Sequence, residues 1–142
     1  MKDILITGAY GGMGKAATEY FSNCGFRVFA IDRRVDEPKE NIIPIKADIT
    51  SEAEVANALD IVKSHTSNLF AIVHFAGIYM LNSLIEIKSE DFRRIFDVNM
   101  YGAFMINKTF HHLFFLCHLY KFIETCPFCI CSFHSNFRSN FS

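Results

Sequence analysis

Residues 7–14 read TGAYGGMG, so Gly8, Gly11, Gly12 and Gly14 fall within eight positions. Glycines packed between a short apolar run and a helix-like run suit the cradling of a phosphate. The first turn of a helix carries N–H groups without intrahelical partners and the positive end of the helix dipole. A diphosphate reaches those groups only where no side chain covers the backbone. Gly8 permits a tight turn after a strand, Gly12 lets the backbone approach the phosphates, and Gly14 lets the helix pack against a sheet. The other common phosphate loop, G-x-x-x-x-G-K-[ST], does not fit: counted from Gly8, its second glycine falls on Met13. Asp32 follows at the distance where a carboxylate meets the adenosine ribose. Such a carboxylate accepts hydrogen bonds from the ribose hydroxyls and repels a 2′-phosphate, which favours NAD over NADP. Arg33 and Arg34 argue the other way, since either guanidinium can bind a 2′-phosphate. The plainer alternative is that all three charges solvate a strand end.

These residues need elements to hold them. Ile4, Leu5 and Ile6 read as a buried strand running into Thr7 and Gly8. Residues 13–24 read as a helix that Gly25 can terminate. Residues 27–31 and 41–47 read as further strands, the latter confined to an edge by Pro44. Ser51 and Glu54 have capping-box spacing, and Val55, Leu59 and Val62 share one helical face after them. Leu69–His74 reads as a fourth strand. A helix over 88–110 then begins near Ser89, with Phe92, Ile95, Phe96 and Met100 at helical spacing. Strands alternating with helices predict an α/β fold with a doubly wound parallel sheet covered on both faces.

The chain has 142 residues, enough for one core, and 51% of them are hydrophobic. A formal charge of −1 gives no reason to expect nucleic acid or an anionic membrane as partner. No apolar run reads as a signal peptide or a membrane span, so the expected compartment is the cytoplasm. Of the cysteines Cys24, Cys117, Cys126, Cys129 and Cys131, four lie in the last quarter, which is not a disulfide framework spread over a fold. Composition changes along the chain. Residues 1–110 hold every glycine and all the acids but Glu124, while residues 111–142 are rich in phenylalanine, cysteine and histidine. We expect a dinucleotide-binding domain over 1–110 and an atypical tail over 111–142.

The front part resembles the short-chain dehydrogenase/reductase family. Its T-G-x-x-x-G-x-G pattern is met by Thr7, Gly8, Gly12 and Gly14. Its acidic residue after the third strand is met by Asp48, its N-N-A-G stretch in part by HFAG (74–77), and its helix asparagine by Asn99. The resemblance implies a Rossmann-like fold that binds NAD, with NADP second. It implies that the backbone of Gly12, Met13 and Gly14 holds the diphosphate and that Asp48 and Ile49 flank the adenine. Ala76 and Gly77 line the cofactor near its ribose, and Asn99 supports a proton relay or, on the plainer alternative, stabilises a helix kink. The substrate is then an alcohol or carbonyl compound, and the 88–110 helix is a candidate dimer interface. No metal site is implied.

The chain departs from the family in two places, and its glycine loop fits two branches of it. His74 and Phe75 replace the two asparagines of the N-N-A-G stretch; we expect backbone hydrogen bonds, not catalysis, to occupy His74. Thr7, Gly8, Gly11 and Gly14 also satisfy the T-G-x-x-G-x-x-G pattern of the family's extended branch of nucleotide-sugar enzymes, so a fragment of such an epimerase or dehydratase is an alternative. The family's general acid is a tyrosine with a lysine four residues later. Here Tyr10, Tyr20, Tyr79, Tyr101 and Tyr120 are followed at that distance by Gly14, Cys24, Ser83, Met105 and Glu124. Ser132 and Ser135 stand near where the family's serine is wanted, in a stretch that imitates a strand. Cys126, Cys129, Cys131 and His134 lie close enough for zinc, and CPFC has the form of a redox dithiol, but scattered thiols are the better reading. Residues 111–142 look like a different coding sequence joined to the front. The expectation is a truncated oxidoreductase that binds NAD weakly, does not turn over and leaves one sheet edge bare. The alternative is a non-catalytic dinucleotide-binding or dimerisation module.

Overall fold

The computed structural model describes residues 1–81, 83, 85–114, 121–126 and 129–133. Its strands are β1 (Lys2–Thr7), β2 (Phe26–Asp32), β3 (Ile42–Lys46), β4 (Ala71–His74), β5 (Lys121–Cys126) and β6 (Cys129–Phe133). Its helices are α1 (Gly12–Asn23), α2 (Glu52–Lys63), α3 (Ser89–Phe96) and α4 (Ala103–Phe110). A π-helical turn, Asp97–Gly102, joins α3 to α4, and a 3₁₀ turn, His111–Phe114, follows α4.

The sheet order is β3-β2-β1-β4-β6-β5, and the first four strands are mutually parallel. Alternate residues of β1 enter different cores. Ile4 and Ile6 pack with Val28, Ala30, Ala71 and Val73, against Phe21 of α1. Leu5 packs on the other face with Phe29, Ile31 and Ile72, under Val55 and Val62 of α2 and Ile106 and Phe110 of α4. Burial on both faces explains why these strands read as continuous apolar runs. The arrangement is the doubly wound, Rossmann-like fold.

Local chemistry sets the element ends. Gly25, at φ 82°, donates its N–H to the Ser22 carbonyl and closes α1. β3 tolerates Pro44 because it is an edge strand. At the start of α2 the Ser51 hydroxyl accepts the Glu54 N–H at 3.4 Å. The reciprocal half of the capping box is redirected: the Glu54 carboxylate takes the N–H of Asp48 at 2.8 Å, and the Ser51 N–H goes to the Asp48 carbonyl. β4 begins at Ala71, later than Leu69, because the Leu69 N–H turns to the Leu113 carbonyl.

One expectation is refined and one is corrected. The helix over 88–110 runs unbroken from Ser89 to Phe110, but it carries a π turn at Asp97–Gly102. The π turn between α3 and α4 inserts an extra residue, which rotates the later face by roughly 100°. Phe92, Phe96 and Met100 are therefore half exposed, at 50%, 51% and 53%, while Ala103, Met105, Ile106 and Phe110 supply the buried face. The sheet edge beside β4 is not bare. β6 pairs with β4 antiparallel, Val73 facing Cys131 and Ile72 facing Ser132, and β5 pairs with β6. Ser132 thus lies within the sheet rather than beyond its C-terminal edge; Ser135, His134, Tyr120 and Cys117 lie outside the described residues.

Phe110 is the largest side chain that α4 buries on the sheet. Replacing it by alanine is expected to lower the unfolding free energy by about 3–5 kcal/mol, read by urea titration. A loss below about 1 kcal/mol would contradict this packing.

Candidate functional site: a cleft at the strand ends

Successive strands step outward from β1 in one direction through β2 and β3, then in the other from β4, so the sheet has its switch point between β1 and β4. Connections leave in opposite directions there and open a crevice at the C-terminal ends. A cavity of about 730 Å³ occupies it. The sequence-predicted Gly8, Asp32, Asp48, Ile49, Ala76 and Gly77 all line this cavity. Thr7 is fully buried beneath, and Gly12, Met13 and Gly14 form the first turn of α1. The sequence reading missed Tyr10, Phe75, Ile78, Arg94 and Val98 as wall residues, and named Arg33 and Arg34, which do line it. Arg94 and Val98 are four apart on one helix face, distinct from the face of Phe92, Phe96 and Met100; that periodicity was the available signal. An adjoining cavity of about 450 Å³ shares Arg33, Asp48, Arg94 and Val98 and adds Thr50, Asp97 and Tyr101.

The glycine turn is built by main-chain contact. Gly8 has φ 66°, and a Cβ there would collide with the backbone of Phe75 and Ala76. A Cβ on Gly14 would overlap the Gly8 carbonyl, so α1 starts directly on the end of β1. A Cβ on Gly12 would meet no protein atom within 4 Å. Gly11, the N-cap of α1, provides no side-chain hydrogen bond. The N–H groups of the first turn therefore carry no side-chain cap, the arrangement that suits an anion.

Two carboxylates stand along the cleft. Asp32 receives the Tyr10 N–H on Oδ2 at 3.0 Å and the Arg34 N–H on Oδ1 at 3.3 Å, which fixes its orientation while each oxygen keeps a further acceptor site. Asp48 receives the Thr50 hydroxyl at 2.7 Å and the Thr50 N–H at 2.9 Å, both on Oδ1. The Thr50 hydroxyl, then its N–H and the charge of Arg33 hold this carboxyl below the usual aspartate range against the opposing effect of burial.

Asn99 sits in the π turn. Its Oδ1 accepts the Ile78 N–H at 2.8 Å, and its Nδ2 donates to the Ile78 carbonyl at 2.9 Å. The amide thus clamps the loop that carries Ala76 and Gly77. His74 corrects another expectation, because side chains occupy its ring: Thr7 Oγ1 lies 3.1 Å from Nδ1 and Asn107 Oδ1 lies 3.3 Å from Nε2. The tyrosine hydroxyls near the cleft are poor acids. Burial raises the Tyr10 pKa, with Asp36 and Asp32 adding to it, and the hydrogen bond to Glu52 raises that of exposed Tyr101. Among the described residues no cluster of metal-ligating side chains occurs, and no helix is long and apolar enough to cross a membrane.

A parallel β3-β2-β1-β4 sheet with a glycine turn opening α1 at the switch point defines the Rossmann-like class. The family model described as short chain dehydrogenase matches residues 2–115. The chain belongs to the short-chain dehydrogenase family. It is 33% identical over 117 residues to an NADPH-dependent 1-acyldihydroxyacetone phosphate reductase of Schizosaccharomyces pombe, covering 78% of this chain and 40% of that one. It is 29% identical over 103 residues to the 2,3-dihydro-2,3-dihydroxybenzoate dehydrogenase of Escherichia coli, covering 72% and 42%. Among solved structures, the 3-ketoacyl-(acyl-carrier-protein) reductase of Brucella melitensis complexed with NADH superposes with a TM-score of 0.72 at 27% identity, covering 80% of this chain and 50% of that one. The chain spans less than half the length of these two curated relatives.

Burial pushes the His74 pKa from 6.5 down to about 4, opposed by the Asn107 hydrogen bond. The unfolded chain takes up this proton near pH 6.5 and the folded chain only near pH 4. The stability contributed by a neutral His74 is therefore complete above pH 6.5 and is lost as pH falls toward 4. That loss is about 3 kcal/mol. Urea unfolding of the native chain and of His74→Gln at several pH values is expected to show this extra slope only with histidine; equal slopes would refute it.

Proposed function

We propose that residues 1–110 are the dinucleotide-binding part of an NAD-dependent oxidoreductase acting on an alcohol or carbonyl compound, and that the chain as it stands binds NAD without turnover. The observation that carries this reading is the uncapped first turn of α1 beside a cleft whose wall bears Asp32. Gly12, Met13 and Gly14 offer main-chain donors to the diphosphate, and Thr7 and Gly8 set the turn. Asp32 accepts the adenosine ribose hydroxyls, Asp48 and Ile49 flank the adenine, and Ala76 and Gly77 line the cofactor near its ribose. A bound nicotinamide supplies or accepts hydride. Asn99 fixes the loop at Ile78 and so the wall beside the reacting ring.

Turnover needs a proton donor of lowered pKa. No tyrosine of the chain has a lysine four residues on, and Tyr10 and Tyr101 are shifted the wrong way. We take residues 111–142 as a tail of different origin, although the family match runs into its first residues, to 115. The exposed free thiol of Cys24 suits a reducing cytoplasm.

Fluorescence titration is expected to give measurable NADH binding, tighter than NADPH, and no oxidation of secondary alcohols. Asp32→Ala is expected to weaken NADH about tenfold and to leave NADPH equal or better. Absence of binding to both nucleotides would sink the reading, and tighter NADPH binding by the native chain would reverse the cofactor preference.

A second reading, a dimerisation module, is favoured by one observation. Phe92, Phe96, Met100 and Phe104 recur every fourth residue and are all half exposed or more. We infer that this stripe meets a second copy of the chain or a longer relative. Sedimentation is expected to show a dimer that Phe96→Glu converts to monomer; a monomeric native chain that also ignores a full-length relative would exclude it.

A further inference from the structure

We propose that His74 is a positioning residue for the cofactor turn: through Thr7 on one side and Asn107 on the other, it locks the C-terminal ends of β1 and β4 together and ties both to α4. The proposal rests on the cofactor reading above. His74 is 3% exposed and Thr7 is fully buried. An amide oxygen only accepts hydrogen bonds, so Asn107 Oδ1 requires the ring proton on Nε2. Bare Nδ1 then accepts the proton of the Thr7 hydroxyl.

The consequence reaches the cleft through main chain. The carbonyl of Thr7 accepts the Phe75 N–H at 2.8 Å, and the next residue, Gly8, lies against the backbone of Phe75 and Ala76 with no room for a Cβ. Moving the His74 ring therefore moves Thr7, Gly8 and Ala76 together, and two of these line the cofactor cavity.

Among the described side chains, those bonded to the ring are Thr7 from β1 and Asn107 from α4. Charged groups on β1 and α4 are engaged elsewhere: Lys2 over the Phe70 ring and Asp3 with Arg27 at the far end of β1, and Lys108 of α4 over the Phe104 ring. On β6 the titratable residue nearest in register is Cys131, opposite Val73. The ring is accordingly neutral at ordinary pH, its pKa held near 4.

The test uses the full chain, with NADH as probe. His74→Phe is expected to weaken NADH about tenfold, and His74→Gln, which can still accept from Thr7 and donate to Asn107, to bind within about threefold of the native chain. Asn107→Asp sets a carboxylate against Nε2 and favours the imidazolium. Its charged ring makes Nδ1 a donor and reverses the bond to Thr7, so this variant is expected to lose NADH affinity as pH falls through neutral while the native chain stays level. Native-like binding by His74→Phe, or a level profile for Asn107→Asp, would overturn the proposal. If His74→Phe does not fold, the glutamine and aspartate variants decide. If the native chain itself binds no NADH, the functional reading fails instead, and ¹⁵N spectra still test the bridge: a ring proton on Nδ1 refutes it.

Discussion

Main chain pressed against main chain is the constraint on which the rest of this structure depends. At the end of β1 the carbonyl of Gly8 lies where a Cβ of Gly14 would go, and the Gly8 α-carbon faces the backbone of Phe75 and Ala76. The end of β1, the start of α1 and the chain just after β4 thus meet with no side chain between them. That contact sets where α1 starts and how closely β4 approaches β1. It also leaves the first-turn N–H groups of α1 without a side-chain partner. Each is a property of backbone geometry, and a Cβ at Gly8 or Gly14 would have no room.

Around that contact, hydrogen bonds orient the side chains. Asp32 is steadied by two main-chain N–H groups, Asp48 by Thr50, and the Ala76–Ile78 loop by Asn99. The redirected capping carboxylate of Glu54 belongs to the same scheme, since it grips the N–H of Asp48 and couples the start of α2 to the cleft. The side chains along the cleft are thus oriented largely by main-chain N–H groups of neighbouring residues.

The parallel half of the fold was legible in the sequence because each strand buries both faces and each turn has a chemical signature. ILI, VFAI and AIV are continuous apolar runs, and Gly8, Gly25 and Ser51 punctuate them. The cleft residues were legible where main-chain access demanded glycine or where a carboxylate followed a strand. Arg94 and Val98 were not, because a helix advertises its apolar stripe more loudly than its mixed one. The phase change at Asp97–Gly102 was invisible because a π turn inserts a residue without altering composition. The pairing of β6 with β4 was hidden too: a strand-like stretch does not announce its direction, and only the register sets Ser132 opposite Ile72.

That widened turn makes the two halves of the 89–110 segment obey different bookkeeping of inside and outside. Upstream, Phe92 and Phe96 count toward the surface; downstream, Ile106 and Phe110 count toward the interior. Excision of a single codon between Asp97 and Gly102 would merge the two phases, and aromatic rings that now look outward would compete for the seats of Ile106 and Phe110.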